Sequence, residues 1–585
     1  MDTFVADFET TTNPEDCRVW AYAICEVGNK ENVEIGTTID DFMNWCKNQK
    51  KNPKVFFHNL KFDGQFILQW LFHNGFEHVV DPKDKKTNTF TTLISDKGLY
   101  YQIEVFFYRK GKNVKKVIFQ DSLKLIPMSV DKIAKTFDLP ISKLSIDYTS
   151  HNNLPIGSEL TQEEKDYIVN DVQIVAYAIE YFHEQGLDKM TIGSCALDEY
   201  KKLIKKRTFE RWYPTPNDVF HEDVKQSYRG GFTYLNPKFA GKIIKNGVVL
   251  DVNSLYPSVM YGCDGEYLPF GTPLFFEGEY VHDPVHPIYT QMFSCIFELK
   301  KGKIPTIQIK HSGDFRGNEY LESSNGKEVV LCLNSVDLKL FHEQYEVHCY
   351  EPISGWKFKA TKGLFQEYID KWSNTKIQAK KDGNPGLYLI AKLFLNSLYG
   401  KFGTDNKVKS KIPYLGEDGV IHFKDSDVEH RDGVYIAMAS FITSYARLKT
   451  IRAAQTIMDN YNSGKSNIQF VYADTDSLHC YSPDFELPGG LDIDDTKLGA
   501  WKYESKFNKA KFLRQKCYIE NSTEDIENDN PEYELKITVA GMPKGCYQYV
   551  NFNNFKIGAS YQGKMQPKMV KGGVVLADVD FTIKN

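Results

Sequence analysis

The sequence lacks the features that mark several large classes of protein. Its eleven cysteines are scattered, with no CxxC pair, which argues against a zinc site or a disulfide framework and fits a reducing compartment. No apolar run approaches the ~18 residues of a membrane span. The N-terminal MDTFVADFETTT is acidic, so no signal peptide is predicted. No internal repeat or low-complexity tract is present.

The chain also lacks an excess of positive charge. Its net charge is −5 over 585 residues, so charge alone does not indicate a nucleic-acid binder. The distribution is more informative, because twelve lysines and only four acids lie between Lys357 and Lys411. Such a local excess suits a polyanion, although a solvated lysine-rich face is the alternative. The aromatic content of 14% is high and leaves rings available for stacking.

The length predicts about three to five domains. Strand-like runs alternate with helical patterns over the first ~190 residues, which predicts an α/β unit, and a capping box of Thr161 and Glu164 opens its amphipathic helix. The glycine pair in YRGGFTYLNP predicts a hinge with unusual backbone angles. The remaining patterns predict a strand, turn and helix in GVVLDVNSLYPSVMY, short strands and turns over about 263–363, helices over 364–402 broken by KKDGNPG, a turn-rich piece over 404–434, another helix, and a C-terminal β-hairpin.

The stretch YADTDSLH places Asp474 and Asp476 one residue apart behind an apolar strand. At ~6 Å and an effective dielectric near ~20 they repel by about 2–3 kcal/mol, so a compensating cation is expected. Residues i and i+2 of a strand share a face, and Asp251 ends another predicted strand. The three carboxylates therefore suit a pair of Mg²⁺ ions. A surface turn and a sugar-nucleotide metal site are the alternatives for the DxD alone.

A second pattern lies in LIAKLFLNSLYGKFG. On a helix Lys392, Asn396 and Tyr399 fall at i, i+4 and i+7 and share one face. A cation, an amide and an aromatic ring on one face suit a nucleoside triphosphate. A solvent-exposed stripe is the alternative.

Taken in order, DVNSLYPSVMY, KLFLNSLYGKFG and YADTDSLH resemble motifs A, B and C of family B DNA polymerases, and LRQKCYIE resembles the KxY motif that grips primer-strand phosphates. The N-terminal unit carries a second set: DFETT gives Asp7 and Glu9, HNLKFDGQFI gives Asp63, and YIVNDV gives Tyr167 and Asp171. This set resembles a 3′–5′ proofreading exonuclease of the DEDDy type. There two metals would activate a water that Tyr167 orients.

The short length and stretches such as YRGGFTYLNP, IPTIQIK, ISGWKFKATKGLF and KLGAWKYES resemble the protein-primed, φ29-type phage DNA polymerases. The resemblance implies a multidomain α+β and α/β fold, in which an RNase H-like exonuclease domain precedes a right-hand polymerase with two inserted terminal-protein regions. The implied divisions are 1–191 exonuclease, 192–262 and 435–539 palm, 263–363 first insert, 364–403 fingers, 404–434 second insert, and 540–585 thumb.

The resemblance also assigns roles to single residues. Asp251, Asp476 and the Val252 carbonyl would hold metal, with Asp474 completing the set, and Asp7, Glu9, Asp63 and Asp171 would do so in the exonuclease. Lys143 resembles the catalytic-site lysine there, and Tyr256 resembles a steric gate against ribonucleotides. Nucleotide binding is assigned to Tyr256, Lys376, Lys392, Asn396 and Tyr399. DNA binding is assigned to Thr10, His58, Asn59, Phe62, Ser122, Leu123, Thr443, Arg447, Lys516 and Tyr518.

The implied cofactor is Mg²⁺, two per site, with Mn²⁺ as a substitute. The implied partners are primer-template and single-stranded DNA, deoxynucleotides and a terminal protein, for a monomer acting in the cytoplasm of an infected bacterium.

Three departures from relatives are Tyr388 in place of a lysine, a longer finger loop, and Ser145 in place of an aspartate, which puts the outer metal shell of the exonuclease in doubt. Two rivals remain: a polymerase using ribonucleotides or an RNA template, and a catalytically silent DNA-binding scaffold.

Overall fold

The computed structural model describes residues 2–214, 217–310, 314–431, 435–525, 528 and 531–584. The N-terminal unit is an eight-stranded mixed sheet in the order β3-β2-β1-β4-β8-β7-β6-β5, with β1 and β8 parallel to β4. Its strands are β1 (Thr3–Thr10), β2 (Val19–Glu26), β3 (Asn29–Gly36), β4 (Lys54–Phe57), β5 (Glu77–His78), β6 (Thr89–Ile94), β7 (Tyr100–Lys110) and β8 (Asn113–Asp121).

Four helices accompany this sheet: α1 (Ile39–Asn48), α2 (Leu60–His73), α3 (Val130–Thr136) and α4 (Gln162–Glu184). Helix α4 opens with the predicted capping box, in which Thr161 and Glu164 satisfy each other's backbone N–H groups. Its buried face, which includes Ile168, Val172 and Val175, packs in one core with Val5 of β1 and Ala23 of β2. The α/β prediction for this unit is confirmed.

The middle of the chain runs through three helices and into the strands of a second sheet. In chain order these elements are α5 (Ile192–Ile204), α6 (Lys206–Trp212), α7 (Asp218–Lys225), β9 (Thr233–Leu235), β10 (Ile243–Ile244), β11 (Gly247–Val252) and α8 (Leu255–Tyr261). A four-stranded sheet follows, in the order β12-β15-β13-β14. It is formed by β12 (Leu268–Glu277), β13 (Ile288–Leu299), β14 (Val329–Asn334) and β15 (Tyr345–Thr361), with α9 (Ser335–Gln344) between the last two.

The prediction of short strands and turns over 263–363 was wrong in detail. Strand β15 has 17 residues and β13 has 12, and α9 is a regular helix capped by Asn334. The period-2 signal of these strands is weak because β13 is buried along most of its length and register shifts in its pairing with β15 interrupt the alternation.

The helical region is a hairpin of α10 (Gln366–Lys381) and α11 (Pro385–Phe402), broken at KKDGNPG as predicted. Two small hairpins follow it, formed by β16 (Lys407–Val408), β17 (Lys411–Leu415), β18 (Ile421–Asp425) and β19 (Glu429–His430). Then come the long buried helix α12 (Ile436–Asn462), β20 (Gln469–Asp474), β21 (Ser477–Tyr481), β22 (Trp501–Arg514), β23 (Cys517–Thr523) and β24 (Glu534–Val539). The C-terminal hairpin is β25 (Ser560–Val570) with β26 (Gly573–Thr582).

The second sheet has the order β24-β23-β22-β11-β21-β20-β9, with β10 on β22. Helix α12 packs in the same core as β11 and β20, through residues such as Ile451 and Leu250. The β17–β18 hairpin and the C-terminal β25–β26 hairpin pack against the N-terminal unit, because Ile421 of β18 and Val574 and Val575 of β26 join its core. Within the described residues no helix is long and apolar enough to span a membrane.

Candidate active sites

The first acidic centre lies in the N-terminal sheet. Asp7 and Glu9 occupy alternate positions on β1, so both point to the same face of the central strand. Asp63 comes from the first turn of α2, and Asp171 from the inner face of α4. The structure thus brings the four predicted acids together around one cavity of ≈ 940 Å³, which Tyr167 and Lys143 also line.

These acids lie close together, and Glu9, Asp63 and Asp171 are buried. Burial, followed by the nearby Asp171 carboxylate, raises the pKa of Asp7 to about 7. Burial likewise raises the pKa of Glu9 and of Asp63 well above the ordinary value, and the Asp7 carboxylate adds to both shifts. Asp63 Oδ1 and Asp171 Oδ1 are buried without a hydrogen-bond partner. Unpartnered buried carboxylate oxygens are what a hard divalent cation would satisfy.

One lysine and two tyrosines complete this centre. The Lys143 ammonium forms an ion pair with Asp171 and lies 5.2 Å from the Tyr167 ring centroid. The Tyr167 hydroxyl is 3.0 Å from the hydroxyl of Tyr148, which the sequence reasoning missed. Tyr148 lies in an irregular loop after Lys143, so no periodic signal could have located it.

The predicted single-strand contacts divide into two groups. Thr10, Asn59 and Phe62 line the cavity, and Leu123 lines an adjoining one together with His58 and Asn59. Asn59 adopts φ 86° and is held by its N–H donating to Asp121 at 3.1 Å. Ser122 is fully buried and its hydroxyl donates to the Phe57 carbonyl at 3.1 Å and lies 2.9 Å from His58 Nδ1. Ser122 therefore supports the His58 ring in this structure, and its predicted contact with DNA stays a prediction.

The second acidic centre lies at the ends of strands β11 and β20 of the second sheet. Asp251 is the penultimate residue of β11 and pairs with Ser477 of β21. Asp474 ends β20, while Asp476 lies in the turn before β21. The two aspartates therefore flank a tight hairpin turn, and the prediction that they share one face of a continuous strand was wrong. Thr475 between them has φ 63°, which reverses the chain.

The turn is fixed from outside by two backbone hydrogen bonds. The Thr475 N–H donates to the Phe232 carbonyl at 2.7 Å, and the Val252 N–H donates to the Asp476 carbonyl at 2.8 Å. Gly231 lies against it, because an added Cβ would stand 2.6 Å from the Thr475 side chain. Neither Gly230 nor Gly231 has positive φ, so the predicted unusual backbone angles are not found. Glycine suits position 231 because the backbone there approaches the Thr475 side chain closely.

Two of the three candidate carboxylates here have a lysine near them. Lys502 Nζ is 3.6 Å from Asp251, and Lys516 forms an ion pair with Asp474. Burial and the Asp476 charge raise the pKa of Asp251 to about 7, and burial raises the pKa of Asp476. Among the described residues no His, Cys, Asp or Glu set is arranged to hold an ion as it stands. Lys502 and Lys516 place positive charge beside Asp251 and Asp474.

Helices α8, α10 and α11 bring the nucleotide-binding candidates over this centre. Tyr256 of α8 stacks on Tyr399 of α11, with ring centroids 4.1 Å apart. Burial lowers the pKa of Lys376 on α10, and the positive charges of Lys392 and Lys502 lower it further, so three cations converge. Lys392 and Asn396 are exposed on one face of α11, as the spacing predicts. Lys502 was missed because its approach depends on the pairing of β22 with β11.

Two predicted DNA contacts lie in the interior instead. Thr443 is 1% exposed and its hydroxyl donates to the Ala439 carbonyl within α12. The Arg447 guanidinium forms an ion pair with Asp337 and donates to the carbonyls of Arg229 and Gly230. In this structure Arg447 holds the YRGG segment and Thr443 lies in the helix core, and the DNA contacts predicted for both stay predictions. The sequence placed them on the right helix but could not give the direction of their side chains.

The residues of the KxY motif, Lys516 and Tyr518, lie beside the Asp474–Asp476 turn. Lys516 has φ 53°, and its N–H donates to the Tyr472 hydroxyl at 2.9 Å. Tyr518 stacks on Phe512 at 5.0 Å and lies 5.2 Å from the His479 ring. Burial alone would lower the pKa of His479, but the adjacent Glu520 carboxylate, together with the charges of Asp474 and Glu504, raises it above the ordinary value. His479 and Glu520 were not predicted.

The fold and the two acidic centres define a template-copying enzyme joined to a nuclease. The sequence profile of the family "DNA polymerase type B, organellar and viral" matches residues 46–159 and 152–487. The DNA polymerases of Bacillus phage phi29 and Bacillus phage B103 are 44% and 43% identical over 592 residues, covering 99% of this chain and of each relative, and that of Streptococcus phage Cp-1 is 32% identical, covering 99% of this chain and 98% of that relative.

Solved structures agree with these relatives. Phi29 DNA polymerase complexed with primer-template DNA and incoming nucleotide substrates aligns with a TM-score of 0.92 at 43% identity, covering 100% of both chains. The same polymerase complexed with single-stranded DNA aligns at 0.91 and 42%, again over 100% of both chains. The chain belongs to the organellar and viral type B DNA polymerases, and within them to the phi29-like group. It is a protein-primed, processive, strand-displacing DNA polymerase with a proofreading 3′–5′ exonuclease, and membership implies a divalent metal.

Proposed function

We propose that synthesis takes place at Asp251, Asp474 and Asp476, and excision at Asp7, Glu9, Asp63 and Asp171. The observation that carries the first assignment is the convergence of three carboxylates from β11 and the β20–β21 turn beneath Lys376, Lys392 and the Tyr256–Tyr399 stack. The second assignment is supported by four acids from β1, α2 and α4 around one cavity.

The residues present fit a divalent cation at both centres. Asp251, Asp474, Asp476 and the Val252 carbonyl would hold it in one, and Asp7, Glu9, Asp63 and Asp171 in the other. The support comes from the raised carboxylate pKa values and from the unpartnered oxygens of Asp63 and Asp171. Bound Mg²⁺ or Mn²⁺, two per centre, would acidify the attacking hydroxyl and stabilise the charge on the leaving group.

The remaining residues act on the substrate. Lys376 and Lys392 would bind the triphosphate by charge. Tyr256 would place its ring where a 2′-hydroxyl would stand, and Asn396 would lie along the same face as Lys392. Lys516 and Tyr518 would hold the primer strand.

In the exonuclease, Tyr167 would orient the attacking water through its hydroxyl, which Tyr148 steadies from the other side. Lys143 would exchange Asp171 for the scissile phosphate. Thr10, His58, Asn59, Phe62 and Leu123 would hold the frayed strand by stacking and hydrogen bonds.

We propose the same division into parts as the sequence predicts: exonuclease 1–191, palm 192–262 and 435–539, inserts 263–363 and 404–434, fingers 364–403, thumb 540–585. The two inserts would contact a terminal-protein primer and close around the template. The partners are then primer-template DNA, deoxynucleotides and that protein, for a monomer. Because the relatives are phage proteins, the proposed site of action is the cytoplasm of an infected host.

The test is rolling-circle synthesis on a primed circle with Mg²⁺ and no helicase or clamp. Products many times the circle length are expected, since copying, displacement and processivity are all needed to make them. Products that stop at one circle length would contradict displacement by this chain alone. Equal use of ribonucleotides would favour a polymerase that uses ribonucleotides or an RNA template. Absence of metal-dependent turnover of the primer would favour a catalytically silent DNA-binding scaffold.

A further inference from the structure

The second sheet curls so that distant strands meet across its concave face. In the hydrogen-bonded order, β22 and β11 lie between β23 and β21. Nevertheless Glu520 of β23 and His479 of β21 meet, with Glu520 Oε1 2.7 Å from His479 Nδ1. In the register Val249 and Ser505 are in line with His479, and Ala510 is opposite Glu520. These side chains are small and leave room for the contact.

The pair lies in the floor of the polymerase centre. His479 and Glu520 line the same cavity as Asp251, Asp474 and Asp476. Their side chains are 4% and 5% exposed, so the contact is shielded from water. A charge-assisted hydrogen bond in such a place is stronger than one on the surface, and losing one partner leaves the other buried and unpaired.

The His479–Glu520 pair connects β21, which follows the Asp476 turn, to β23, which carries Tyr518. His479 is two residues after Ser477, so both side chains lie on the face of β21 next to the Asp476 turn. Glu520 is two residues after Tyr518 on β23, and Lys516 lies in the turn immediately before that strand. The His479 ring packs against Tyr472 at 5.4 Å and Tyr518 at 5.2 Å. Tyr472 in turn accepts the Lys516 N–H.

We propose that the His479–Glu520 pair is a positioning device for the primer terminus, fastening the strand of Lys516 and Tyr518 over the strands of Asp251 and Asp476. This inference rests on the proposed roles of those residues. Neither His479 nor Glu520 touches the reacting atoms. Their effect is on where the primer end is held relative to the carboxylates.

The experiment measures single-nucleotide addition to a primer whose last linkage is a phosphorothioate, so that excision does not interfere. Glu520→Leu is expected to raise the KM for primer-template about tenfold or more, as loss of a charge-assisted hydrogen bond would. The kcat at saturating DNA is expected to stay within about twofold. Glu520→Gln, which keeps the shape and an acceptor oxygen, is expected to restore the KM.

The double variant His479→Phe with Glu520→Leu removes both polar groups and leaves no orphaned charge. Its thermal stability is expected to recover while the KM stays raised. The chain offers a matched control in His151 and Glu164, another buried pair at 3.1 Å, which lies in the exonuclease domain. His151→Phe is expected to lower the melting temperature and leave the primer-template KM unchanged.

The inference is overturned if Glu520→Leu behaves as His151→Phe does, losing stability at an unchanged KM. It is also overturned if the double variant recovers both stability and KM, or if kcat falls instead of KM rising. Failure of the proposed function would look different, because the wild-type chain itself would then show no template-directed addition.

Discussion

The two acidic centres place the same residue type in opposite settings. In the exonuclease the acids sit on a central strand and two helices, and Asp63 and Asp171 are each 3% exposed. In the polymerase centre Asp251 and Asp474 lie at the ends of β11 and β20, with side chains 23% and 13% exposed, and each has a lysine close by. The exonuclease centre is thus defined by regular elements and burial, whereas the polymerase centre is defined by a tight turn and by lysines from neighbouring strands.

The largest expected effect tests whether the centres are independent. Asp476→Asn should lower nucleotide addition about a thousandfold or more and leave excision intact, because several kcal/mol of transition-state stabilisation are lost at one centre only. Asp63→Asn should do the reverse. Primer extension and release of labelled 3′ nucleotides measure the two activities. Parallel loss of both in either variant would contradict the separation.

The next effect concerns a feature that only the polymerase centre has, the Tyr256–Tyr399 stack above the carboxylates. Tyr256→Val should reduce discrimination against ribonucleotides about 10–100-fold, since a smaller side chain leaves room for the 2′-hydroxyl. The measurement is the ratio of kcat/KM for a deoxynucleotide and its ribonucleotide. Unchanged discrimination would remove Tyr256 from the proposed gate.

A smaller effect sharpens the claim that the polymerase centre depends on a turn. Gly231→Ala would place a Cβ 2.6 Å from Thr475, so synthesis should fall about tenfold while excision is spared. Gly230→Ala is the matched control, because nothing lies within 4 Å of its added Cβ. Adding Thr475→Gly should relieve the clash and suits the positive φ there. If Gly230→Ala were equally damaging, close approach would not be the cause.

The smallest effect tests the cost of burial in the exonuclease centre. The pKa of Asp7 is raised to about 7, so between pH ~4 and ~7 the folded state binds more protons than the unfolded state, and metal-free stability should fall as pH rises. Asp7→Asn should therefore raise the free energy of unfolding at pH ~8 by about 1–2 kcal/mol. Urea unfolding in chelator measures this. Mg²⁺ should stabilise the wild type more than the variant, and equal stabilisation would contradict metal binding there.

Local pattern was enough to predict much of the fold. The capping box at Thr161, the break between α10 and α11, and the C-terminal hairpin all depend on residues close in sequence. The long strands of 263–363 were missed because β13 is buried along most of its length and register shifts between β13 and β15 interrupt the alternation. The burial of Ser122, Thr443 and Arg447 could not be predicted, because sequence places a residue on an element without giving the direction of its side chain.

The sequence by itself determined which acids are candidates for the two centres, through the local spacing of Asp7 with Glu9 and of Asp474 with Asp476 and through the motifs that resemble those of known polymerases. Only the tertiary structure decided what surrounds them. Lys502 meets Asp251 through the β22–β11 register, Gly231 meets Thr475 through the path of the YRGG segment, and Glu520 meets His479 through the curl of a sheet. Such contacts join residues far apart in the chain, and no local pattern encodes the twist and pairing that bring them together.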